Sequence, residues 1–139
     1  MATARRKPAA PKSAAYRKGL AVRRRWMGKA YVAKAFREAD DFTIDLQHYV
    51  TEHAWGASWA RGVLPLKTRS IVNLAMISAL NRPHELEIHV RAAIANGITQ
   101  AEIKEIFLQV AVYCGAPAAL DSFRIAKRLY AEAAAQKKK

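Results

Sequence analysis

At 139 residues the chain has room for one ordinary domain and not two, and its single cysteine, Cys114, excludes an intramolecular disulfide and any cysteine-rich zinc site. A net charge of +13 suggests nucleic acid at first sight, but twelve of the 24 Lys and Arg lie in residues 1–37, which hold no acid, and Lys137, Lys138 and Lys139 add three more. Between Glu38 and Gln136 nine basic residues face eleven acidic ones, so the body is slightly acidic and no nucleic-acid partner is expected.

Residues 1–14 (MATARRKPAAPKSA) carry almost nothing large and apolar, and are expected to form a disordered basic tail. No apolar core of a signal peptide follows them. The longest uncharged run, Ile106–Leu120, has 15 residues and is interrupted by Gln109, Gly115 and Pro117, short of the roughly 20 a membrane span needs. A cytoplasmic protein with no membrane partner is expected, with one helical domain over residues 15–136 and a basic C-terminal tail at 137–139.

The first element expected is a helix from Tyr16 to about Phe36, weakened at Gly19 and Gly28. Asp40 and Asp41 open a second, with Phe42, Ile44, Leu46, Tyr49 and Val50 at helical spacing, ending near His53. Trp55, Gly56, Trp59, Gly62 and Pro65 suggest an irregular aromatic connection. Thr68–Leu80 reads as a buried helix stopped by Asn81-Arg82-Pro83, and Pro83 suits the first turn of the next. That helix ends at Asn96-Gly97, a left-handed C-cap signal. Thr99-Gln100-Ala101-Glu102 is a capping box that starts a further helix, Gly115 ends it, and Pro117 opens the last. No alternating strand pattern competes, so the fold expected is all-α with about six helices.

Several pieces in order carry a family resemblance. They are Ala54-Trp55-Gly56, Lys67-Thr68-Arg69-Ser70, Leu74-Ala75-Met76, Ala79-Leu80-Asn81-Arg82, Glu85-Leu86 with His89-Val90-Arg91, Asn96-Gly97, Glu102-Ile103-Lys104-Glu105 and Tyr113-Cys114-Gly115. Together they resemble the carboxymuconolactone decarboxylases, over roughly Arg17 to Glu132. Arg61–Leu66 departs from the family pattern: it reads Arg-Gly-Val-Leu-Pro-Leu where Arg-Pro-Gly-Leu followed by charged residues is usual. The resemblance implies a helical bundle of the alkylhydroperoxidase-D-like type, assembled into a homo-oligomer, often a hexamer, and serving aromatic-acid catabolism in the β-ketoadipate pathway. Peroxidase chemistry of that fold needs a Cys-x-x-Cys pair, and the corresponding stretch here is Arg82-Pro83-His84-Glu85.

The substrate implied is a five-membered unsaturated lactone with one carboxylate on the ring and one on a side arm, decarboxylated to the 3-oxoadipate enol-lactone. Another lactone or carboxylic acid is the alternative within the fold, and a protein that binds nucleic acid or an anionic surface through its tails is the rival of another class. When CO₂ leaves the ring carbon, the electron pair can pass through the double bond into the lactone carbonyl, so no cofactor and no metal are expected. The protein must hold two carboxylates, stabilise the developing oxyanion and see a proton delivered to carbon.

Glu85 and His89 are i and i+4 on one helix face, so a carboxylate is expected to orient the imidazole and raise its pKa. This pair is the candidate catalytic group, with His89 as proton donor or oxyanion partner. Arg69, Arg82 and Arg91 are candidates for the substrate carboxylates, since guanidinium offers a bidentate fork, and Trp55 for a pocket wall. The bland readings are an imidazole at the edge of the stripe of Leu86, Val90 and Ala93, arginines in surface or intersubunit salt bridges, and tryptophans that fill a core. Tyr113 is expected to pack in the core and His84 to cap its helix. His48 and His53 are five apart, a spacing that does not place both on one face for a metal.

Overall fold

A computed structural model describes residues 12–137. Among them are seven α-helices: α1 (Ala14–Met27), α2 (Lys29–Glu38), α3 (Ile44–Tyr49), α4 (Leu66–Ala79), α5 (Pro83–Ala95), α6 (Gln100–Cys114) and α7 (Ala116–Gln136). A π-helical stretch, Val50–Gly56, continues α3, and a 3₁₀ turn follows at Trp59–Arg61. The described residues are all-helical, as expected, with one more helix than about six. The extra one arises at Gly28, whose φ of 95° splits the segment expected to be continuous from Tyr16 to Phe36. Most of the tail read at 1–14 lies outside the described residues, but Ser13 caps α1 by accepting from the backbone N–H of Tyr16 at 3.0 Å.

The chain divides into two compact units, the first ending at Arg61 and the second beginning at Gly62. In the first, α1 packs on the π-helix. Gly19 is the contact point, because a Cβ there would collide with the carbonyl of Thr51 and the backbone of Gly56. The wider π turn carries Thr51 and Trp55 into the interior, and its C-terminal i→i+5 bond runs from Ala57 N–H to the Glu52 carbonyl at 2.9 Å. Arg23 of α1 is buried, yet its guanidinium donates to Thr51 Oγ1 at 2.9 Å and Gln47 Oε1 at 2.8 Å. Trp26, Trp59 and Trp55 form a chain of tilted rings with centroids 5.9 and 4.5 Å apart. The stretch expected to be an irregular connection is thus helical through Gly56, its tryptophans being core residues.

In the second unit the predicted punctuation appears as read. Pro83 sits in the first turn of α5. Gly97 takes a φ of 83° while Ile98 N–H bonds the Ala93 carbonyl at 3.0 Å, and the capping box at Thr99 and Glu102 is closed from both sides. Leu74, Leu86, Val90, Ile103, Phe107 and Leu129 form the core. Small residues let α4 and α7 approach: Ser78 and Ser122 hydroxyls meet at 2.5 Å, and since Ser122 donates to the Ala118 carbonyl at 2.9 Å, Ser78 is the donor between them. Among the described residues no helix is long and apolar enough to cross a membrane.

Candidate active site

The residues that can carry chemistry in the second unit meet where α4 and α5 pack. His89 lies on the inward edge of α5, half-buried beside Leu86, Val90 and Ala93, which are buried. Its partner comes from α4: Asn73 Nδ2 stands 3.2 Å from His89 Nδ1. Arg69 is one turn earlier on the same face of α4, half-buried in the first turn of that helix. A cation, an amide and an imidazole therefore lie along the seam between two helices.

The electrostatics of His89 differ from the sequence expectation. A raised pKa was expected from Glu85; instead burial pushes the imidazole below its ordinary value, and the weaker pull of Glu85 only partly offsets that. The reason is placement. Glu85 is exposed, so water screens its charge, whereas the ring it would influence is half-buried against the apolar edge of α5. The neutral imidazole is the form present near pH 7.

The other expected ligands separate. Arg91 is two residues from His89, about 200° around α5, and its guanidinium is engaged with Glu87 at 3.0 Å and Glu132 at 2.8 Å. Arg128 closes the same network, reaching Glu87 at 2.6 Å and Glu132 at 3.0 Å. These ion pairs hold both carboxyls below, and both guanidinia above, their ordinary pKa. Arg82 is exposed at the N-cap of α5, and His84 is exposed in its first turn. Trp55 belongs to the first unit, where it is 7% exposed and packs at a tilt against Trp59. Tyr113, expected in the core, is 81% exposed at the end of α6. Asn73 was missed by reading catalytic residue types alone; the available signal was a lone amide inside the apolar run Ser70–Leu80, one turn after Arg69.

Residues 45–128, which contain this seam, match the carboxymuconolactone decarboxylase family. The chain belongs to that family. It is 37% identical over 115 residues to the 4-carboxymuconolactone decarboxylase of Acinetobacter baylyi, covering 83% of this chain and 86% of that protein. It is also 40% identical over 110 residues to a nitrosuccinic acid decarboxylase of Metarhizium robertsii, covering 79% of this chain and 77% of that one. An uncharacterized 15.0 kDa protein of Paracoccus denitrificans is 36% identical over 81 residues, 56% of this chain and 60% of that protein.

Proposed function

We propose that this member of the decarboxylase family removes CO₂ from 4-carboxymuconolactone, giving the 3-oxoadipate enol-lactone, with neutral His89 as hydrogen-bond donor to the lactone carbonyl. The observation that carries this reading is a half-buried imidazole, its pKa lowered by burial, held by an amide one helix turn along from an arginine. Such a ring offers one N–H to an oxygen that gains charge in the transition state. Donors of this kind are worth about 10²–10³ in rate in a water-poor site.

In the reaction the bond between the ring carbon and its carboxylate breaks, and CO₂ departs. The electron pair moves through the ring double bond onto the lactone oxygen, where the His89 N–H meets it. A proton from solvent water then adds at the ring carbon next to the carbonyl, as the electron pair returns from the oxygen to that carbon. Since the lactone is its own electron sink, no cofactor is assigned a step. Arg69 is the favoured anchor for a substrate carboxylate, because its half-buried guanidinium shares a helix face with Asn73. Arg91 already has carboxylate partners within the chain and is the weaker candidate.

We further propose a homo-oligomer, a trimer of dimers, in the cytoplasm. The support for self-association is the outer face of α4 and α6, where exposed Val72, Met76 and Tyr113 line an apolar groove of about 480 Å³. Sedimentation at micromolar concentration should show an assembly larger than 15.5 kDa; a lone monomer would refute it.

The Metarhizium relative favours a second reading, decarboxylation of a nitro acid. A nitro group on the carbon that loses CO₂ accepts the electron pair on its oxygens, so the same N–H donor would serve. The deciding assay incubates purified protein separately with 4-carboxymuconolactone and nitrosuccinic acid and follows CO₂ release. Turnover of the lactone supports the leading reading, turnover of the nitro acid alone replaces it with the second, and release from neither overturns both.

A further inference from the structure

The proposed role of His89 needs its proton on the nitrogen that meets substrate, and a neutral imidazole has two tautomers to choose from. The neighbour on α4 makes that choice. Asn73 Nδ2 lies 3.2 Å from His89 Nδ1, and an amide NH₂ is a donor without a lone pair to offer. Nδ1 must therefore accept, and the single ring proton is driven to Nε2. We propose that Asn73 is a positioning residue that fixes His89 as its Nε2–H tautomer and presents that N–H, rather than a lone pair, to the substrate oxygen.

Chemistry favours an amide over a carboxylate here. A carboxylate at Nδ1 would draw the ring proton to itself and leave a lone pair at Nε2, suited to a general base and repulsive to an oxyanion. It would also stabilise imidazolium. The amide imposes the opposite tautomer without adding charge. The exposed Glu85 does not substitute: it is turned to water, and among the described residues it makes no hydrogen bond to the ring. Were the amide turned end for end, Oδ1 would accept from Nδ1–H and the outcome would reverse, so the tautomer is the quantity to measure.

The inference rests on His89 acting as a donor, and its test separates the two ideas. ¹⁵N spectra of the imidazoles of the full chain, taken above neutral pH, should show Nδ1 of His89 unprotonated and Nε2 protonated, the signals being assigned by their loss in His89→Gln. Asn73→Asp should reverse that pattern and lower kcat by about 10²-fold with little change in KM. Asn73→Leu, alike in branching and free of new charge, should give a mixture of tautomers and a smaller loss. Asn73→Thr, whose hydroxyl can still donate, should recover part of it. A protonated Nδ1 in the unaltered protein overturns the proposal, as does unchanged tautomer and turnover in both the Asp and Leu variants. If the tautomer shifts as stated while His89→Ala keeps full turnover, Asn73 does set the ring and it is the assignment of His89 to the site that fails.

Discussion

The two compact units handle buried polarity in opposite ways. In the first, Arg23 is sunk among helices and each of its terminal nitrogens donates to an oxygen, on Thr51 and Gln47, while the backbones of α1 and the π-helix touch through Gly19. In the second, Glu87 and Arg91 of α5 are turned outward and paired, and the polar group drawn inward, His89, is met by a neutral amide and, among the described residues, by no hydrogen-bonded counter-charge. A cation bonded to oxygens of its own chain braces a scaffold and has less to offer a ligand. An uncharged imidazole with one spare N–H has something to give. The contrast assigns bracing to the first unit and chemistry to the second, and it can be broken from either side.

The largest effect is expected at His89. Replacement by Ala removes the donor and should lower kcat by about 10²–10³-fold with a near-normal melting temperature. His89→Gln keeps an N–H and should lose far less, about 10-fold. If Gln is as damaging as Ala, the ring works by titrating, as a general acid, and the neutral-donor reading goes.

Next is Gly19→Ala in the first unit, which places a methyl group against the Thr51 carbonyl. Backbone cannot yield as a side-chain tip can, so a loss of about 1–3 kcal/mol or more is expected in denaturant unfolding. Unfolding should show the damage before any selective change in KM. A variant of full stability would mean that the close approach of α1 and the π-helix does not brace this unit.

Smaller still is the change expected at Arg69. Arg69→Ala should raise KM by about tenfold or more, equal to one charge-assisted contact, with a lesser effect on kcat. Arg128→Ala, which opens the exposed ion-pair network on Glu87 and Glu132, should leave KM alone and shift the melting temperature slightly. Equal effects on KM would show that the arginines act through general charge rather than position.

Much of the second unit was legible beforehand because its signals are local. Pro83, Asn96-Gly97 and the Thr99 capping box act through their own neighbours in sequence, and the structure uses each as read. The first unit was harder. A π turn is chosen by what it must pack against, here the backbone beside Gly19, and composition from Val50 to Gly56 carries no mark of that. The site divides along the same line. Spacing placed Glu85 and His89 on one face but said nothing of which side is wet, and burial reverses the expected pKa shift. Asn73 and His89 are 16 residues apart, so only the packing of two helices reveals the pair. Arg91 looked like a ligand until Glu132, 41 residues away, was seen to hold it.

The smallest effect is one of stability against pH. Burial depresses the folded pKa of His89, so the unfolded chain takes up a proton near the ordinary value of about 6.5 while the folded chain resists. Stability should therefore be complete above that value and fall as pH drops from about 6.5 towards the folded pKa, below which both states are protonated and the loss stops growing. One proton limits the slope to about 1.4 kcal/mol per pH unit. Glu102 acts lower: held down to about 2, chiefly by its ion pair with Lys67, it contributes stability above the ordinary carboxylate range that is lost on further acidification. The windows barely overlap, so comparing unfolding midpoints of the unaltered chain and His89→Gln between pH 8 and 5 isolates the histidine. The unaltered chain should lose stability more steeply over that range. Parallel curves would mean that His89 titrates alike folded and unfolded, and the distinction between an internally bonded cation in the first unit and an uncharged, half-buried imidazole in the second would lose its electrostatic basis.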